Sequence, residues 1–212
     1  MSTSNLTEAL VTLARRLDEL GVTYGLIGGA ACSALGSPRV TEDIDLVVGV
    51  ISSSDMSAEK LNELLLNTPG FVPLDMDNVG YFIPGIDIDG QRKFPVEIFD
   101  AASWPMRPQY GEVFTEHRSV TLPDGTSVKV FSPAWLLREK IQATYEREKK
   151  TESDLFDIKF LCGVIRPEEY QQGVLDLRNA PQFQDAFRAF VSRTDIDDSI
   201  RELIQRIFLS AD

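Results

Sequence analysis

The chain carries one histidine and two cysteines, and that scarcity excludes several chemistries. A zinc site needs more His and Cys ligands than His117, Cys32 and Cys162 supply. A Ser-His-Asp triad would have to use His117, which stands in a polar stretch with no nucleophile motif beside it. His117 therefore reads as a solvated surface residue. Both cysteines lie in apolar stretches and are too few for a disulfide framework, so they read as core thiols. No apolar run approaches the length of a membrane span. The opening "MSTSNLTEAL" lacks the basic and apolar regions of a signal peptide, which points to a cytoplasmic protein. Basic charge is short as well: 21 Lys and Arg face 33 Asp and Glu, a net charge of −12. This disfavours a broad nucleic-acid-binding face but leaves room for a local basic groove. The G-x-G-x-x-G dinucleotide fingerprint and the Gly-Lys-Ser/Thr of a P-loop are absent. Two near matches to calcium loops fail. "DMDNVG" has Val79 where a ligand is required, and "GIDIDG" begins with Gly85 and puts Val96 at the closing acid position.

What remains is an ordinary globular composition, 43% hydrophobic and 25% charged over 212 residues, enough for one sizeable core or two small domains. Residues 5–20 show helical periodicity, with Asn5 and Glu8 as a capping box and Gly21 after the last apolar position. Residues 23–27 form a short strand that feeds Gly28-Gly29. "AACSALG" reads as a short helix closed by Gly36, and "DIDLVV" as a mostly buried strand. A helix is expected over 55–67. Hairpin bends are expected at Asp89-Gly90 and at Pro123-Asp124-Gly125. From Ser132, a cap followed by Pro133, the pattern turns helical: 133–150, 154–163, two stretches punctuated by Pro167 and Pro181, and 196–209. The expected architecture is an α/β domain with a mixed sheet over 1–131 and a helical domain over 132–212.

The stretch "YGLIGGAACSALGSPRVTEDIDLVV", residues 24–48, concentrates the chemistry. Alternate residues of a strand share a face, so Asp43 and Asp45 point the same way with Cα atoms about 6.6 Å apart. Two carboxylates that close repel unless a cation lies between them. Mg²⁺, hard and oxygen-seeking, is the simplest candidate. Paired ions about 3.5–4 Å apart could join the pair to a triphosphate. A strand–Gly-Gly–helix turn exposes backbone N–H groups to an anion, and glycine lets the anion approach. A third carboxylate is offered by "FPVEIFD": Glu97, flanked by Val96 and Ile98 as Asp45 is by Ile44 and Leu46, with Asp100 as the alternative.

Taken in order, "LIGGAA…RVTEDIDLVV…VEI" resembles the DNA polymerase β-type nucleotidyltransferase superfamily. It is more similar to the minimal and AbiE-type toxin branch, with antibiotic nucleotidyltransferases as cousins. In that branch Arg and Thr precede the acid pair, as Arg39 and Thr41 do here. A helical Lys and a downstream Arg before an Asp-rich helix are matched by Lys140, Arg147, Asp154 and Asp157 in "LLREKIQATYEREKKTESDLFDIKFL". Many relatives have Ser after the first glycine, a position taken here by Gly29. The resemblance implies a mixed sheet flanked by helices and then a helical region, and a Mg²⁺-dependent nucleotidyltransferase. Asp43, Asp45 and Glu97 would hold the metal, with Glu97 alternatively the base toward an acceptor. Gly28, Gly29, Ser33, Arg39, Thr41 and Lys140 would hold ATP or another nucleoside triphosphate. The acceptor stays open: a cationic small molecule, suggested by the acidic Asp75, Asp77, Asp87, Asp89 and Asp100, or a protein. Transfer RNA, used by some toxin relatives, fits the charge worst. A helical antitoxin-like partner, or a fold retained for binding with its activity lost, are further expectations.

Overall fold

The computed structural model describes residues 3–49, 57–74, 78–82, 93–100, 117–147, 151–166 and 181–209. The chain separates into two compact units, Met1–Phe131 and Ser132–Asp212.

The first unit is built on a seven-stranded mixed sheet. Its strands are β1 (Tyr24–Ile27), β2 (Ile44–Val48), β3 (Phe71–Pro73), β4 (Val79–Phe82), β5 (Lys93–Asp100), β6 (His117–Thr121) and β7 (Ser127–Phe131). Their spatial order is β3-β4-β5-β2-β1-β7-β6. Strand β2 runs antiparallel to β1 and parallel to β5, and β1 runs parallel to β7. The central position of β2 explains its apolar run: Ile44, Leu46, Val47 and Val48 are all fully buried. The outer β6 alternates exposed with half-buried residues, and His117 is exposed on it.

Among the described residues this unit has three helices: α1 (Thr3–Glu19), α2 (Gly28–Ala34) and α3 (Ala58–Leu66). The α1 face that repeats Leu6, Leu10, Leu13 and Leu17 is buried. Its end is a Schellman turn: Gly21, at φ +65°, donates to Asp18 O, and Val22 donates to Leu17 O. The same pair of bonds closes α2, where Gly36 donates to Ser33 O and Ser37 to Cys32 O. The expected Asn5 cap is corrected: α1 starts at Thr3, so Asn5 lies inside the helix. Ser57 caps α3 by accepting from Lys60 N at 3.2 Å. The hairpin at 123–125 forms as expected, with Gly125 at φ +89° and Asp124 accepting from Thr126 N and Oγ1 at 3.0 and 2.8 Å. Strand β4 pairs with β5 from Phe82↔Lys93 onward, while the expected bend at Asp89-Gly90 lies outside the described residues.

The second unit contains α4 (Pro133–Glu146), α5 (Thr151–Val164), α6 (Pro181–Val191) and α7 (Asp198–Leu209) among the described residues. Ser132 caps α4 by accepting from Trp135 N, and Pro133 opens the helix, where its missing N–H costs no bond. The expected helix over 133–150 is shorter, because Arg147 is extended at φ −116°, ψ 130°. The stretch from Pro167 to residue 180 lies outside the described residues. The core joins Phe183, Phe187 and Phe208, with centroids 5.1–6.4 Å apart, to Ile141, Ile158, Leu161, Phe190, Ile204 and Ile207. Arg138 is buried with its guanidinium 4.9 Å from the Trp135 ring and 5.1 Å from Phe183, a stacked arrangement that keeps the charge against aromatic faces.

Candidate active site: an aspartate strand beside a glycine turn

Strand β1 ends at Ile27, which pairs with Asp45 on β2, and Asp45 pairs with Glu97 on β5. Residues directly opposite in a ladder share a face, so two carboxylates stand side by side where β1 gives way to α2. Asp43 precedes β2 by one residue. Asp43 and Asp45 are half-buried and Glu97 is exposed.

The glycine pair owes its composition to these neighbours. Gly28 has φ +64°, a backbone state that disfavours a side chain. A Cβ there would also fall 2.9 Å from Asp45 Cγ and closer to its Oδ2. At Gly29 a Cβ would meet the Thr41 hydroxyl and the Arg39 guanidinium, with Thr41 Cβ at 2.8 Å. A side chain at either position would therefore strike Asp45, or Thr41 and Arg39. Thr41, almost fully buried, donates to Asp43 Oδ1 at 2.7 Å. Arg39 is anchored by its backbone N–H to Ser37 Oγ at 3.3 Å and by Nη1 to Val40 O at 3.3 Å. Ser33 is half-buried on the second turn of α2.

Among the described residues, no three His, Cys, Asp or Glu side chains converge closely enough to hold a metal ion. Asp43, Asp45 and Glu97 are neighbours in the fold without forming a closed cage. The donor set nonetheless suits Mg²⁺, which takes all-oxygen ligands and is usually held by one or two carboxylates, with phosphates and waters completing the octahedron. Asp45 and Glu97, brought together by register, meet that requirement.

Lys140 lies in the second unit, on α4. Its ammonium is held by Asp154 Oδ1 at 3.0 Å and Asp157 Oδ2 at 2.9 Å, both on α5. The aspartate side chains are 2% and 0% exposed, so this ion-pair cluster is buried. Burial pulls the lysine pKa down, but attraction from Asp157 and Asp154 outweighs it and leaves the value raised. Asp154 and Asp157 are thus part of the interior of this unit, not a solvated face. The signal was in the sequence: Asp154, Asp157, Ile158 and Leu161 fall at i, i+3, i+4 and i+7, one helical stripe, and all four are buried. Asp154 Oδ2 is buried without a hydrogen-bond partner among the described residues.

Other residues weighed from the sequence are now placed. Tyr81 is buried edge-on to Phe71 at 5.2 Å and its hydroxyl meets Thr12 Oγ1 at 3.2 Å. It is committed to the core. Cys32 and Cys162 are buried free thiols, and burial pushes Cys162 up to about 12, which leaves no thiolate at neutral pH. The Asp75, Asp77, Asp87 and Asp89 cluster and Trp104 lie outside the described residues.

This mixed sheet, with an Asp-x-Asp strand beside a glycine turn, defines a nucleotidyltransferase. More particularly, the chain belongs to the family described as "Nucleotidyl transferase AbiEii toxin, Type IV TA system", which it matches over residues 13–211. Among solved structures it is similar to an antigenic nucleotidyltransferase-like protein from Paracoccidioides brasiliensis, at 29% identity and TM-score 0.78, over 96% of this chain and 94% of that one. JHP933 from Helicobacter pylori shares the fold at 16% identity and TM-score 0.50, over 98% and 88% of the two chains. The antibiotic-resistance factor ANT(2'')-Ia aligns at 17% identity and TM-score 0.48, over 90% and 94%. No curated protein sequence matches the chain. No described helix is long and apolar enough to cross a membrane.

Proposed function

We propose that this nucleotidyltransferase moves a nucleoside monophosphate from a nucleoside triphosphate to a hydroxyl acceptor, a small molecule or a protein, with Mg²⁺ as cofactor. The observation that carries the reading is the register that sets Asp45 beside Glu97 and against Gly28. Asp43 and Asp45 would hold the metal with the triphosphate oxygens. When bound, Mg²⁺ supplies charge neutralisation at the phosphates. Glu97, exposed beside Asp45, completes the ligand set or takes the acceptor's proton. The acceptor oxygen forms a bond to the α-phosphorus, the bond between that phosphorus and the bridging oxygen breaks, and pyrophosphate leaves. Rate enhancement in such a transfer comes from alignment and charge stabilisation. Arg39, packed against Gly29, places a cation beside the turn. Gly28, Gly29 and Ser33 complete the phosphate side. The family's type IV toxin–antitoxin description supports an antitoxin-like protein partner.

The test is transfer from each [α-³²P]-labelled nucleoside triphosphate, with Mg²⁺, to three acceptor pools: aminoglycosides, total cell protein and transfer RNA. The reading expects label in the first or second pool, lost in Asp45→Asn. Label appearing only in transfer RNA would replace the acceptor assignment. No label in any pool, with no nucleotide binding, would overturn the reading.

A further inference from the structure

Thr41 is almost fully buried, and it stands between two parts of the site. On one side its Oγ1 and Cβ fill the space that a side chain at position 29 would need. On the other its hydroxyl lies 2.7 Å from Asp43 Oδ1 and 3.4 Å from the Asp43 carbonyl. An ionised carboxylate only accepts, so the hydroxyl is the donor, and it has a single proton to give. The shorter bond takes that proton. A threonine so committed has no donor left for a phosphate.

We propose that Thr41 is a positioning residue: wedged against Gly29, it fixes the orientation of the Asp43 carboxylate and acts on the nucleotide only through that aspartate. Gly29 and Thr41 then form one unit. The space that a serine would fill at position 29 is filled here from the β2 side by Thr41, together with Arg39. A β-branched residue suits the task, because its χ1 has few accessible wells and the hydroxyl stays where packing puts it. The inference rests on the reading of Asp43 as a metal ligand, and its test separates the two.

The first readout needs no ligand. In metal-free protein, the Asp43 carboxyl ¹³C line, assigned with Asp43→Asn, should move in Thr41→Val and return to its wild-type position in Thr41→Ser. Valine keeps the shape and removes the proton; serine keeps the proton. The second readout is titration with Mn²⁺ in the presence of a non-hydrolysable nucleoside triphosphate, followed by the loss of the free-ion paramagnetic resonance signal. Thr41→Val should weaken Mn²⁺ binding about three- to tenfold, the scale of one lost hydrogen bond, with Thr41→Ser close to wild type. An Asp43 line that stays put in Thr41→Val overturns the proposal whatever the metal does. A moved line with unchanged Mn²⁺ affinity overturns the positioning role. If wild type takes up no Mn²⁺, the metal reading of Asp43 fails, and the positioning role fails with it even where the line moves.

Discussion

Replacing Lys140 with methionine removes the ammonium held between Asp154 and Asp157, whose side chains are 2% and 0% exposed. Breaking a buried ion pair by deleting one partner costs about 3–5 kcal/mol, because the remaining charge keeps its desolvation penalty and loses its compensation. For a helical unit of this size that is a large share of a typical total of about 5–15 kcal/mol. The assay is urea denaturation followed by Trp135 fluorescence in a Trp104→Phe background, since the chain has two tryptophans and Trp135 is buried in the second unit. The control is Lys140→Met with Asp154→Leu and Asp157→Leu. An apolar replacement of the whole cluster should be neutral or more stable by about 1–4 kcal/mol. The pH dependence has a definite sign. The folded-state pKa of Lys140 is raised above 10.5, so its contribution is fully present below that value and is lost as pH rises through the folded pKa. If Lys140→Met lies within about 1 kcal/mol of wild type at pH 7, the cluster is solvated and the reasoning fails.

Other outcomes follow from the glycine turn and the acid pair. Gly21→Ala and Gly28→Ala impose the same left-handed strain, at φ +65° and +64°, worth about 1–2 kcal/mol. Gly21 has open space, whereas a Cβ at Gly28 strikes Asp45, so only Gly28→Ala should also lower transfer, by about tenfold or more. Equal transfer by both variants would disconnect Gly28 from the site. In metal-free protein Asp45→Asn should raise Tm by about 1–4 °C, because like charges opposite each other in a ladder cost about 0.2–1 kcal/mol. Calorimetry of the apo protein checks this, and a fall in Tm would show that Asp45 holds the turn together as a hydrogen-bond acceptor.

The first unit was legible because its signals are local. Gly-Gly after an apolar run, Asp-x-Asp at the head of another, and Pro-Asp-Gly between alternating stretches each name a turn or strand without knowledge of distant contacts. The helix ends at Gly21 and Gly36 were legible for the same reason. The pairing of Asp45 with Glu97 was an inference from the shared hydrophobic–acid–hydrophobic pattern, and the parallel β2–β5 register places them together. What the pattern did not reveal was nonlocal. Glycine at 28 and 29 suggests close approach of phosphate; the structure adds that a Cβ at either position would strike Asp45, or Thr41 and Arg39. The burial of Lys140 was not legible, because its partners are 14 and 17 positions away, on α5. The burial of Tyr81 was not legible either, because nothing in its own strand announces that Thr12 of α1 meets its hydroxyl.

The central claim is that Asp43 and Asp45 bind a metal–triphosphate beside the Gly28-Gly29 turn. Its most direct measurement is calorimetric titration of wild type and Asp45→Asn with non-hydrolysable nucleoside triphosphates, with and without Mg²⁺. The account predicts saturable, Mg²⁺-dependent binding of at least one nucleotide to wild type, weakened tenfold or more in Asp45→Asn while circular dichroism stays unchanged. Wild type that binds none of the four nucleotides, or a variant that binds as tightly as wild type, would contradict it.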